Sequence, residues 1–293
     1  MGLLDKLLKK GPKADSVSKG GSPIYHYDEK KDKEWRPPQA YGEYGEEITR
    51  HFGALFPDRE EFVFHEILSD LVHIDVNIMR PREDKPYYVM YTTGMSDLPM
   101  TLPEEIAHRE DLKYGELFMF LPKEWNPGET GQLDSDIPDS QYWPIRLIKY
   151  LARFPHEYGT WLGWGHTIPN GPDYEPLCQD TRMGGVVLVQ TGGDMGSMKA
   201  EDGREINFYM VVPAYKEEIE YKLEYGMEAL DKRFCDGNLP MVLDIRRPNY
   251  CEDFKVSCPP ESPGPYSGGF PPPSIKRTGE QPMYFLNTLI KYL

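Results

Sequence analysis

The chain has 293 residues, 39% of them hydrophobic, enough to bury the core of one large or two small domains. Its 33 basic and 48 acidic residues leave a formal charge of −15, which argues against nucleic acid or an anionic membrane as partner because both repel such a field. The acid is concentrated in the middle: residues 1–40 hold nine Lys/Arg against six Asp/Glu, residues 232–293 eight against six, and the stretch between them 16 against 36.

The opening MGLLDKLLKK sets Leu3, Leu4, Leu7 and Leu8 against Lys6, Lys9 and Lys10, an amphipathic pattern of about three turns that suits a frayed or partner-docked helix. It carries Lys6 where a myristoylation signal needs Ser or Thr. Residues 11–40 lack helical or strand periodicity and are rich in Gly, Pro, Ser and Lys, so they read as a linker. The ordered domain is expected over 41–250, flanked by flexible extensions at 1–40 and 251–293.

Ile48, Phe52 and Leu55 share one face of a helix over 46–56. Strands are expected at 61–68, at 71–79, where Val72, Ile74, Val76 and Ile78 alternate with polar residues, and at 87–93 and 115–121. A helix over 143–157 follows from Trp143, Leu147, Leu151 and Phe154, with Pro144 in its first turn. Residues 184–191 and 206–212 read as a hairpin. Pro213 and Ala214 open a helix whose buried stripe is Ile219, Leu223, Met227, Leu230 and Phe234, and 240–245 supplies a last strand. The Pro-rich stretch after Asn249 cannot pack a core, and PMYFLNTLIKYL closes the chain as a short helix.

Chemistry has few candidates. Ser96 lies in G-M-S-D-L, without the second glycine of a hydrolase nucleophile elbow, so the structural alternative is a turn capped by Ser96 or Asp97. His73 and Asp75 share a strand face, with His65 near, but two or three such residues do not make a metal site, and none is assigned. Gly192–Gly196 lacks the spacing of a dinucleotide loop and the helix that would follow it, so no cofactor is expected. Cys178, Cys235, Cys251 and Cys258 show no C-x-x-C pair, and no signal pattern or membrane-length apolar run occurs, which points to a reducing cytoplasm and no integral membrane association. Trp161, Trp164 and His166 crowd with three glycines in EYGTWLGWGHTIP, either as core plugs or as interface anchors.

In order along the chain, VHIDVNIM, YYVMYTTGMSDLPM, GELFMFLPKEW, WPIRLIKYLARF with GTWLGWGHT, INFYMVVPAYKEEIEYKLEYGMEAL and MVLDIRRPN resemble a Suppressor of fused domain of the bacterial type, from about Gly45 to Asn249. The turn Gly94, Met95, Ser96, Asp97 and the closing D-x-R-R of Asp244, Arg246 and Arg247 are its most specific motifs. The resemblance implies an α/β (α+β) domain with a mixed, largely antiparallel sheet flanked by helices, and no catalytic activity. Animal members of this family clamp an extended peptide of Gli transcription factors, and bacterial members are often immunity proteins against toxin domains. The implied partner-binding face is Phe154, Tyr158, Trp161, Trp164 and His166, although Gly165 stands where animal members have aspartate. The expected function is therefore sequestration of a protein partner, plausibly a basic nuclease-type toxin domain or an extended peptide. An adaptor working through the Pro-rich tail, or a hydrolase using Ser96, are the alternatives.

Overall fold

The computed structural model describes residues 11–27, 36–66, 69–127 and 137–254. The amphipathic opening, the Pro-rich tail and the C-terminal helix lie outside the described residues. Among the described residues one eight-stranded sheet carries the fold, in the order β3 (Glu61–Phe64), β4 (Asp75–Met79), β5 (Tyr87–Thr93), β6 (Gly115–Pro122), β10 (Glu205–Ala214), β8 (Gly185–Gln190), β7 (Thr167–Pro169), with β9 (Ser197–Lys199) also pairing β10. Only β10 against β6 is parallel, with Tyr209 opposite Leu117; every other pair is antiparallel.

Both faces of the sheet are covered, which is why β5 and β6 read as nearly unbroken apolar runs. Alternate residues of β5 go to opposite sides. Tyr87, Val89 and Tyr91 belong to the core on the side of α1 (Gly45–Leu55), α3 (Lys216–Tyr225) and α4 (Met227–Asp236), while Tyr88 and Met90 belong to the core on the side of α2 (Asp139–Tyr158). Phe52 of α1 stacks on Tyr91 at 4.1 Å and meets Phe208 edge-on at 5.0 Å, centring one core on β5 and β10. Each fully buried side chain of this size contributes about 2–3 kcal/mol.

Several boundaries differ from the sequence reading. The alternation at 71–79 becomes a strand only from Asp75, because Asp75 opposite Thr93 is the last register pair before β5 turns away at Gly94. Upstream, Leu71 has φ 67 and Asp70 and Val72 form an isolated bridge. The helix expected at 143–157 starts a turn earlier, at Asp139, so Pro144 falls beyond its first turn. Pro213 and Ala214 do not open a helix. They end β10, and at the start of α3 the Glu218 side chain reaches back to accept from the Tyr215 N–H at 3.0 Å while the Glu218 N–H donates to the Tyr215 carbonyl. The single helix expected across 219–234 is two, broken at Gly226 with φ 88 and ψ 168. Residues 240–245 form no strand: Val242 makes one parallel bridge to Phe120, at the end of β6 that β10 does not reach. The connection between β8 and β10 is not a simple turn but a 3₁₀ turn at Gly193–Met195 followed by β9. Finally, the stretch read as linker holds β1 (Ser16–Val17) and β2 (Pro23–Ile24), paired antiparallel and packed on the domain.

Candidate protein-binding face and the networks behind it

The turn after β5 is built around glycine. Gly94 has φ 100, and a Cβ there would lie 1.9 Å from the His73 carbonyl oxygen. That close approach delivers Ser96 into the interior, where the residue is fully buried. Its N–H and hydroxyl both donate to Glu116 Oε1, at 2.9 and 2.6 Å, and Thr92 Oγ1 donates to Oε2 at 2.6 Å. Ser96 is therefore buried on a carboxylate, with no histidine bonded to it among the described residues, the arrangement of a structural turn rather than of an exposed nucleophile. Burial pushes the Glu116 carboxyl up to about 7, against the pull of Ser96 and Thr92. Met95 offers its carbonyl to His156 Nε2 at 2.8 Å, so that nitrogen carries the proton, and burial drives the imidazole down to about 4. Asp97 accepts from the Gly42 N–H at 2.5 Å, tying the turn to the approach of α1.

A second network closes the domain. Arg247 and Glu218 form a bidentate pair at 2.6 and 2.7 Å, with side chains 4% and 0% exposed. Arg247 also donates to the Pro213 and Pro248 carbonyls, and its guanidinium lies over the rings of Tyr215 and Tyr250. Glu218 in turn accepts from the N–H groups of Tyr215 and Tyr250. The other two residues of D-x-R-R stay at the surface: Asp244 accepts from the Arg246 N–H, and both residues are exposed. The histidines singled out near β4 form a polar cluster on Asp75, His65 Nδ1 at 3.0 Å and His73 Nε2 at 3.1 Å, and no metal-binding group occurs among the described residues.

The aromatic residues gather where α2 ends. Gly159, at φ 63, caps the helix and turns the chain. Phe154 and Tyr158 lie 4.8 Å apart, and Tyr150 adds a ring 6.0 Å from Phe154. Trp161 meets His166 edge-on at 4.3 Å and packs tightly on Gly163, where a Cβ would come 2.6 Å from the indole. Gly165 has φ 76 and donates to the Leu188 carbonyl, while Leu188 donates to that of His166, so the loop is laced to β8. Part of the His166 surface is exposed, but burial of the ring pushes it down to about 3, helped by the nearby Lys222 charge. Trp164 stands apart, 42% exposed. Among the described residues, the five thus form two ring pairs and one exposed indole.

Residues of the N-terminal segment join these rings. Tyr27 lies 5.3 Å from both Phe154 and Tyr158 and donates its hydroxyl to Thr160 Oγ1 at 2.6 Å. Sequence reasoning did not find Tyr25, Tyr27, Glu116, Glu218 or Lys222. A charge inside the apolar run GELFMFL and the spacing of Tyr215 to Glu218 were the available signals for two of them.

Comparison with known proteins agrees with this architecture. The family model Suppressor of fused protein (SUFU) matches residues 70–248. An uncharacterized protein of Ureaplasma parvum serovar 3 is 20% identical over 204 residues, covering 69% of this chain and 91% of that protein. The crystal structure of a Suppressor of fused homologue from Neisseria gonorrhoeae FA 1090 is similar with a TM-score of 0.51 and 15% identity, covering 71% of this chain and 96% of that one. A chain of the Sufu–Fu complex is similar with a TM-score of 0.50 and 17% identity, covering 71% and 93%. With more than half of its length matched by that family model, the chain belongs to the Suppressor of fused protein family.

Proposed function

We propose that this protein works by binding: it sequesters a protein partner on the aromatic face at the end of α2, in the cytoplasm, and performs no chemistry on it. The observation that carries the reading is the collection of Phe154, Tyr158, Trp161 and His166 around one helix end, with Trp164 and Tyr150 left 42% and 49% exposed. Large rings at a surface, partly desolvated by neighbours, are what protein interfaces use as anchors. A member of the same family in complex with Fu supports a protein rather than a small molecule as partner. No helix among the described residues is long and apolar enough to cross a membrane.

The charge suggests the partner's character. With 16 basic against 36 acidic residues in its middle, the chain complements a basic domain, such as a nuclease toxin whose groove is made for phosphate. An immunity role against such a toxin is the specific form of the proposal. The test is capture from native lysate at low salt, identification by mass spectrometry and reconstitution with the purified partner. Trp164→Asp should weaken the reconstituted complex by about tenfold or more, the effect of losing one aromatic anchor. An unchanged affinity for a folded Trp164→Asp protein would place the interface elsewhere.

A further inference from the structure

The face just described is already occupied. Tyr25 and Tyr27 stack ring on ring at 6.4 Å, and Tyr27 fills the angle between Phe154 and Tyr158. The turn between β1 and β2 rests on α3: the Gly20 N–H donates to the Leu223 carbonyl at 2.8 Å, and Lys19 pairs with Glu224 at 2.8 Å. A Cβ on Gly20 would lie 2.4 Å from the Gly226 nitrogen, so the contact is close. At its start the segment passes Leu102, where a Cβ on Gly11 would lie 2.2 Å from the carbonyl oxygen. Residues 11–27 therefore run as a strap over the region that joins the end of α2 to the end of α3.

The strap leaves one donor beneath it poorly satisfied. The Trp161 indole N–H is buried and makes no well-formed hydrogen bond; the strap offers it only the Tyr25 side chain, in a marginal contact. Lys222, close enough to His166 to bias its protonation, is largely buried, which pulls its ammonium down to about 8, and no carboxylate pairs with it among the described residues. A buried donor without a good acceptor is costly, so an occupant that brought a carbonyl or carboxylate oxygen to the Trp161 indole, close to the unpaired Lys222 charge, would hold the face better than the strap does. The strap's own polar holds are few, and the exposed Lys19–Glu224 pair adds little.

We propose that residues 11–27 are a ligand held in cis, which a partner segment displaces by exchange. The inference rests on the partner-face reading above, and it names the partner's chemistry: a segment presenting two aromatic side chains two residues apart, with an acidic or carbonyl acceptor placed for Trp161 and Lys222. Binding is then a swap of one aromatic pair for another, with the acceptor supplying the preference for the incoming chain.

The probe is a fluorescein-labelled synthetic peptide of residues 11–27, titrated in fluorescence anisotropy against the full chain and against its Tyr25→Ala/Tyr27→Ala variant. A tethered strap acts at about millimolar effective concentration, so the intact protein should bind the peptide at least tenfold more weakly than the variant. The same peptide with both tyrosines replaced by alanine should bind neither. Gly20→Val, which forces a side chain against Gly226, loosens the strap from its other end and should also open the face to the peptide. Absence of peptide binding by both folded variants overturns the exchange, and so does equal binding by wild type and variants, because the peptide would then sit elsewhere. This outcome is separate from the partner test: the peptide can exchange while Trp164→Asp leaves partner affinity intact, in which case the strap reading stands and the Trp164 interface does not.

Discussion

Glu116 shows how one side chain couples the turn, the strand and the pH. Its folded-state carboxyl sits at about 7 against an ordinary 4.5, so the folded chain holds its proton more tightly than the unfolded chain does. The stability this group contributes is complete below about pH 4.5 and is lost as pH rises towards 7, by about 3 kcal/mol in all. Glu116→Gln keeps an oxygen for Ser96 and offers an amide to Thr92, which has a second acceptor in the Leu117 carbonyl at 3.4 Å. Urea unfolding between pH 4.5 and 8 should therefore show the wild type losing stability relative to this variant as pH rises; parallel profiles would show that the carboxyl does not titrate in that window. Arg247 makes the complementary case. Removing it as Arg247→Met strands the Glu218 carboxylate in the core and should cost about 3–5 kcal/mol. Adding Glu218→Gln to that variant removes the stranded charge, and its single amide oxygen keeps an acceptor for one of the Tyr215 and Tyr250 N–H groups, which use different carboxylate oxygens in the wild type. The double variant should thus be more stable than Arg247→Met alone; if it is not, burial of an unpaired charge is not what the pair prevents.

Among the elements, the break between α3 and α4 turns on one residue. Gly226 has φ 88 and ψ 168, a region that essentially only glycine enters, and Gly226→Ala should lower unfolding stability by about 1–3 kcal/mol in urea titration. A loss no larger than that of an exposed surface substitution would mean the junction adjusts freely. The same residue explains a misread boundary. Ile219, Met227, Leu230 and Phe234 are all buried, so their helical spacing survives the break, and a pattern of apolar residues cannot register it. β5 and β6 were legible because a strand buried on both faces leaves a long apolar run with β-branched and aromatic residues, whereas 71–74 alternates as a strand would but lies outside the register of β4 with β5, Leu71 bonding instead to the Arg36 carbonyl and the Gln39 N–H. The networks were largely illegible for a different reason. Ser96 meets Glu116 across 20 residues, Glu218 meets Arg247 across 29, and Tyr27 meets Thr160 across 133, and local periodicity carries no information about such pairs. The turn at Gly94–Asp97 and Arg247 stood out through the family resemblance, which marked positions without saying that one served a buried carboxyl and the other a buried ion pair.

At the scale of the whole molecule, charge and partner capture make one quantitative expectation. A chain of net −15, with its acid gathered in the central domain, projects a field that extends about 8 Å into solvent at physiological ionic strength and about 14 Å at 0.05 M. That field acts on a basic partner before contact, so it belongs to the association rate. The aromatic contacts act after contact and belong to the dissociation rate. Raising NaCl from about 0.05 to 0.5 M should therefore slow association with the purified partner by roughly tenfold or more while leaving dissociation nearly unchanged. Trp164→Asp should do the reverse, speeding dissociation while the salt dependence of association persists. Surface-immobilised binding kinetics at a series of salt concentrations separates the two. An association rate indifferent to salt would remove the basic-partner proposal, and with it the proposed toxin, while leaving the aromatic face to be judged by the dissociation rate alone.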